Sequence, residues 1–439
     1  MKLLASLLLL VLSFSLIPIK THAQSPAASP SPSAAQSAPQ TPTTEYTLPP
    51  DKLAKSKALY DLHVKMLIVG TIYGLVVLLV ILYLGIVARF RDWAEKATKY
   101  SFLQALIVVP LFLLITTVLN LPLDAYGHSV SRQYGLSVQG WASWFADAGK
   151  GFFVSAVIGV VVLWLMILII RKSPRRWWFY FWFPAYAISL LVVYGSPWVI
   201  DPLFNKFEPL EKHNPELVRH IEELSARSGL AIPPERMYAM LASEKTTELN
   251  AYVTGFGASK RIVVWDTTIK KMSQPETLFV VGHEMGHYVL NHIVYGVALL
   301  AIGLFIALYV IYVIANWTLR RFGARWHIRE MGDWAVLPMI FLILSIVSFF
   351  SSPIGNAISR QMEHNADIYG LEITHGINPD DQENAAHAFQ VLGEVSLDYP
   401  YSSRFLTFWY GSHPSIPDRV RFAHNYDPWS KGEQPKYVK

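Results

Sequence analysis

A chain of 439 residues that is 52% hydrophobic and only 16% charged, with 14 tryptophans, has the balance of a membrane protein and the length for a helix bundle plus one water-facing domain. Its net charge of +5 is modest and follows from arginines and lysines beside apolar runs, so no nucleic-acid partner is expected. The chain has no cysteine, which excludes disulfides, thiolate metal ligands and a cysteine nucleophile.

The N-terminus opens with Met1-Lys2, an apolar run Leu3–Ile17 and a small-residue end at Thr21-His22-Ala23, the pattern of a secretory signal peptide cleaved near Ala23. Its retention as a first transmembrane helix is the other reading that stays open. A linker rich in Ala, Ser, Pro and Gln follows over Gln24–Thr43 and reaches to residue 50; it cannot bury a core and is expected to be disordered.

Six stretches then match the roughly twenty apolar residues that span a bilayer: Met66–Val87, Ser101–Leu123, Gly151–Ile170, Trp177–Ile200, Ile293–Leu319 and Trp334–Ile358. Four of them make a membrane domain over 51–200 and two more occupy 293–358, with Pro110 and Pro338 expected to kink their helices. Segments 201–292 and 359–439 are left as two parts of a water-facing domain. Basic clusters follow the first span (Arg89, Arg91, Lys96, Lys99), the third (Arg171, Lys172, Arg175, Arg176) and the fifth (Arg320, Arg321, Arg325, Arg329), which puts those three ends inside and the 201–292 segment on the outer face. This is the topology of a bacterial inner-membrane protein with its soluble domain on the periplasmic side.

In 201–292, Glu211–Ser228 reads as an amphipathic helix, and Arg236–Met240, Ala251–Gly255 and Arg261–Trp265 read as short strands. Next comes His283-Glu284-Met285-Gly286-His287, inside a helix led by Glu276–Gly282. On a helix the two imidazoles share a face and can bind one metal ion, while the intervening glutamate can take a proton from water beside it. A third histidine ten residues after the first is excluded, because Ile293 stands there; His292 falls off the ligand face and reads as a supporting or helix-end histidine. A distant carboxylate is the remaining route to a third ligand, and Ser359-Arg-Gln-Met-Glu363-His364-Asn-Ala-Asp367 supplies one on a second helix. Glu363 is the expected ligand, and Asp367, four residues on, is placed either to orient a ligating histidine or to exchange a proton with the reacting centre. Beyond it, Asp380–Glu394 reads as a helix and the rest as Pro-rich, with Trp409–Pro414 an ordered loop.

These motifs, together with Asn250-Ala251-Tyr252, Asp201–Leu210 and Ser412-His413-Pro414 followed by Arg419, resemble in kind and order those of the zinc-dependent, integral-membrane CAAX prenyl endopeptidases of type I. The resemblance runs from about Leu48 to about Pro428. It implies a mainly α fold: a polytopic membrane helix bundle enclosing a chamber, with a small α/β zinc-metallopeptidase domain of gluzincin type. It further implies one zinc ion on His283, His287 and Glu363, Glu284 as catalytic base and Asp367 as proton donor. Asn250, Ala251 and Tyr252 would start a strand edge that binds the peptide. His413, and less firmly Arg419, would donate hydrogen bonds to the oxyanion or substrate. The expected partners are a peptide or membrane-protein substrate and the lipid bilayer, acting on a monomer. Because the charge pattern faces the site outward, membrane-protein quality control suits the chain better than prenyl-protein processing. A membrane channel or scaffold with a vestigial metal site is the alternative.

Overall fold

Apolar runs in a bilayer must satisfy their own backbone N–H and C=O groups, and each of the six folds as a helix. In the computed structural model, which describes residues 46–255, 257–377 and 380–438, the helices are α1 (Pro50–Tyr83), α2 (Ile86–Ala97), α3 (Ser101–Gln133), α4 (Trp141–Lys172), α5 (Trp177–Val199), the single turn α6 (Asp201–Phe204), α7 (Pro215–Arg227), α8 (Asp266–Lys271), α9 (Gln274–Val289), α10 (His292–Phe322), α11 (Leu337–Thr374), α12 (Asp381–Val395), α13 (Arg404–Tyr410) and α14 (Ile416–Asn425). Helices α1, α3, α4, α5, α10 and α11 are long and apolar enough to cross a membrane. They pack in a closed circuit: α1 on α3, then α4, α5, α10, α11 and back to α1. The signal or anchor segment and most of the linker lie outside the described residues.

One end of this ring gathers the basic clusters. Arg91 pairs with Asp333 at 2.5 Å, Arg329 with Asp92 at 2.9 Å and Glu95 at 2.8 Å, and Arg171 donates to the Gly332 carbonyl at 2.8 Å. From there α11 enters surrounded: Leu337 to Ser345 are buried on every face, within the largest apolar core. Glu363 lies 26 residues after Leu337 on the same helix, about 40 Å further at 1.5 Å per residue. The metal motif and the basic clusters therefore occupy opposite ends.

Several expectations are corrected here. The first span does not run on to Val87: Gly85 takes φ +61°, a left-handed turn, and the chain restarts as α2. The sixth span and the helix bearing Glu363 are one continuous helix. Pro338 does not kink it, because it sits in the first turn, where its missing N–H costs nothing; Pro353 is the proline inside. The C-terminal part, read only as Pro-rich with an ordered loop at Trp409–Pro414, holds α13 and α14 on either side of a loop that starts at Gly411. The last linker residues are also ordered, with Tyr46 and Leu48 buried in the core of the water-facing domain and Tyr46 Oη donating to the Asp398 carbonyl at 2.8 Å.

That domain carries a four-stranded sheet of order β1 (Phe207–Pro209), β2 (Met237–Met240), β4 (Arg261–Trp265), β3 (Ala251–Thr254); β2 and β4 are parallel and the other pairs antiparallel. The strand β1, inside the Asp201–Leu210 motif, is too short and too close to Pro209 to be read from periodicity. Ala251 of β3 and Ile262 and Val264 of β4 share the second core with Leu278, Val281 and Met285 of α9, and β3 is the strand that lies against that helix. Through those contacts the sheet backs the metal-motif helix.

Candidate metal centre

Helix α9 starts where chemistry dictates. Ser273 and Glu276 form a reciprocal capping box, and Gln274-Pro275 opens the first turn. The Glu276 carboxylate also binds the His387 ring of α12. Burial would raise the Glu276 pKa, but the His387 hydrogen bond and the Ser273 N–H outweigh it and hold the group below the usual carboxylate value; His387 is raised in turn, first by Glu276. Helix α9 then crosses α11 at glycines. A Cβ on Gly370 would come within 3.1 Å of the His283 backbone nitrogen, and one on Gly286 within 3.0 Å of the Tyr369 side chain. Only missing side chains allow α11 to bring Glu363 to the two histidines.

The result is a buried triad. His283 Nε2 lies 3.2 Å from His287 Nε2 and 3.4 Å from Glu363 Oε2, and His287 Nε2 lies 3.6 Å from Glu363 Oε1. A tetrahedron of metal bonds about 2.1 Å long has edges of about 3.4 Å, so the three donors already stand at coordination spacing. Glu363 is 2% exposed, and its Oε2 has no hydrogen-bond partner among the described residues, which is costly unless a cation takes it. Against the lowering effect of burial, the carboxylates of Asp367 and Glu363 draw His283 up to about 10, while burial and the adjacent His283 keep His287 well below its ordinary value. The donor set thus calls for positive charge between its imidazoles.

Outside the triad, both imidazoles are steadied through their other nitrogens. His283 Nδ1 contacts Asp367 Oδ1 at 2.8 Å, and His287 Nδ1 faces His292 Nδ1 at 2.9 Å. His292 opens α10 after the left-handed Asn291 and plays the supporting part expected of it. Arg419, expected at the oxyanion or substrate, is 8% exposed and forks onto Asp367, Nε to Oδ2 at 3.0 Å and Nη2 to Oδ1 at 2.5 Å, with its guanidinium over the Phe389 ring. Burial opposes its charge, but Asp367 more than restores it. Asp367, 1% exposed, is therefore enclosed behind His283 with both oxygens engaged, which suits it to orient that ring.

His413, on the loop between α13 and α14, puts Nε2 3.2 Å from Glu363 Oε1, while its Nδ1 meets Ser412 Oγ at 2.9 Å. Glu284, between the buried His283 and His287 in sequence, is half-buried. The strand β3 is the sheet's outer edge. Trp265 N–H donates to the Asn250 carbonyl at 3.0 Å, which turns the Ala251 N–H outward, where the Asn250 side-chain oxygen accepts it at 3.0 Å. Tyr252 projects to the opposite sheet face from Ala251, into a cluster with Tyr238 and Trp265, and burial raises its phenol pKa.

A metal-binding membrane protein of this geometry has relatives. The chain is 36% identical over 374 residues to "Uncharacterized metalloprotease YhfN" of Bacillus subtilis, covering 85% of this chain and 86% of that one. Residues 211–427 match the model of peptidase family M48, and residues 34–206 match "CAAX prenyl protease N-terminal, five membrane helices". The chain belongs to peptidase family M48. Within that family it is also 34% identical over 193 residues to CAAX prenyl protease 1 of Saccharomyces cerevisiae, covering 44% of this chain and 42% of the yeast one. Its fold is similar to the crystal structure of S. mikatae Ste24p, with a TM-score of 0.73, 26% identity and coverage of 86% and 89%. This M48 chain is a multi-pass membrane metalloprotease of the CAAX prenyl protease type, and the channel or scaffold alternative is not favoured.

Proposed function

We propose that this M48 protein is a zinc endopeptidase whose site opens on the outer face of a bacterial inner membrane, and that as a monomer it cleaves peptide segments of membrane proteins. The observation that carries the reading is the buried His283–His287–Glu363 triad at coordination spacing, with an uncommitted carboxylate oxygen. One zinc ion held there would polarise a water and the scissile carbonyl. The chain's own residues do the rest. Glu284 accepts the water's proton and returns it to the leaving amine, since Asp367 is closed off behind His283. His413 donates from Nε2 to the oxyanion. The Ala251 N–H of β3 binds a peptide carbonyl once the Asn250 side chain yields it, laying the substrate antiparallel or parallel along the free edge.

The gathering of basic clusters at the end remote from the triad supports the outward orientation. The relatives named for prenyl-protein processing make a prenylated peptide the second substrate class to test. Glu284→Gln is the deciding variant: it should keep its metal and lose at least about a hundredfold in peptide hydrolysis, as expected for a lost general base. Hydrolysis at the wild-type rate would overturn the assignment.

A further inference from the structure

Helix α13 is seven residues long, yet it is held by side chains of two membrane helices. Arg360 of α11 donates to the Thr407 carbonyl at 3.0 Å and the Gly411 carbonyl at 2.6 Å, Asn356 of α11 donates to the Trp409 carbonyl at 2.6 Å, and the Ser403 N–H reaches Tyr60 Oη of α1 at 2.8 Å. Those attachment points fix its depth. Arg360 is the first charged residue on α11 after 23 uncharged ones from Leu337 to Ser359, so it marks where α11 leaves hydrocarbon. On α1 the matching boundary is Lys65, exposed and immediately before the apolar run that starts at Met66, with Tyr60 one and a half turns beyond it. Both helices place α13 at the polar boundary of the bilayer.

Its composition suits that depth. The segment Tyr401–Tyr410 leaves Phe405 62% and Phe408 50% exposed, with Tyr401 and Tyr410 also exposed and Arg404 beside them. Rings of this size at a water surface would be a liability, whereas at the headgroup boundary aromatic side chains with one cation are the preferred set. The patch is also continuous with the lipid-crossing surface: Phe349 of α11 meets the Trp409 ring at 5.2 Å, and one turn along α11 exposes Ile346, Phe350 and Ile354 in a stripe at helical spacing.

We propose that Tyr401–Tyr410 is a lipid-binding element that rests in the bilayer boundary with Phe405 and Phe408 among the upper acyl chains. Its partner is the membrane the chain already spans. Because Gly411 leads straight to His413, the lipid contact also sets the level at which His413 meets Glu363.

The absence of native cysteine makes the test direct. Full-length Phe405→Cys, Phe408→Cys and Tyr401→Cys are labelled with a nitroxide in lipid nanodiscs and compared with Lys431→Cys on the exposed C-terminal tail. The ratio of accessibility to oxygen over a water-soluble nickel chelate should be at least about threefold higher at Phe405 and Phe408 than at Lys431, with Tyr401 between them. Ratios equal to that of Lys431 at both phenylalanines would overturn the proposal by showing water. Labels shielded from both reagents would overturn it too, by showing a protein-covered or chamber-facing surface.

Discussion

Replacing Arg419 with Gln tests the arrangement behind His283 most sharply. Asp367 is 1% exposed and shares Oδ1 between His283 Nδ1 and Arg419 Nη2. Without the guanidinium a buried carboxylate loses its counter-charge, a change that costs about 3–5 kcal/mol when one partner of a buried pair is removed. The carboxylate relieves that cost by taking a proton, and a protonated Asp367 no longer draws the His283 ring into line. Loss of such a supporting contact weakens metal binding about 10–100-fold. Arg419→Lys keeps the charge but cannot fork, and should fall between. The pair Asp367→Leu with Arg419→Met removes both charges, so it should recover most of the melting temperature while zinc binding stays weak, because the acceptor for His283 is gone. Zinc affinity by competition with a chelating dye, and melting followed by tryptophan fluorescence, separate the two effects. The reasoning fails if Arg419→Gln binds zinc within a factor of two of the parent and melts at the same temperature.

Three further outcomes follow from the geometry. His413→Phe should retain the metal and lower kcat by about a hundredfold with little change in KM, measured on a quenched fluorescent peptide. Gly370→Ala should cost more than about 1 kcal/mol and weaken zinc binding, because the new Cβ meets the His283 backbone at 3.1 Å, which cannot move without shifting the ligand; chelator competition reads it. His387→Gln should make stability less dependent on pH. The raised pKa of His387 means its bond to Glu276 is fully present below the ordinary histidine value and is lost as pH rises through the raised one, while the lowered pKa of Glu276 means its share is lost only as pH falls below the carboxylate range. Melting curves at pH 6 and pH 9 should therefore differ more in the parent than in the variant.

The clustered triad and the spans were legible because each rests on local periodicity: two imidazoles four apart, an acid four before an acid, and apolar runs of bilayer length. Supporting contacts were not, since they depend on where helices cross. Nothing local in the sequence ties Arg419 to Asp367, and only the packing of α14 on α11 and α12 shows it buried there. The one sequence signal available was glycine: Gly286 inside the motif and Gly370 three residues after Asp367 mark a close helix crossing. Pro338 was misjudged for a related reason, because a proline's effect depends on whether it falls in a first turn, and that needs the helix start. The end of the linker was misjudged because composition weighed its Pro and Ser residues and not Tyr46 and Leu48, which close the core against α12.

The entry of α11 is a packed one. With Leu337 to Ser345 enclosed on all sides at the basic end, nine consecutive residues of a membrane helix present no face to lipid, so a charged substitution anywhere among them would meet side chains and not acyl chains.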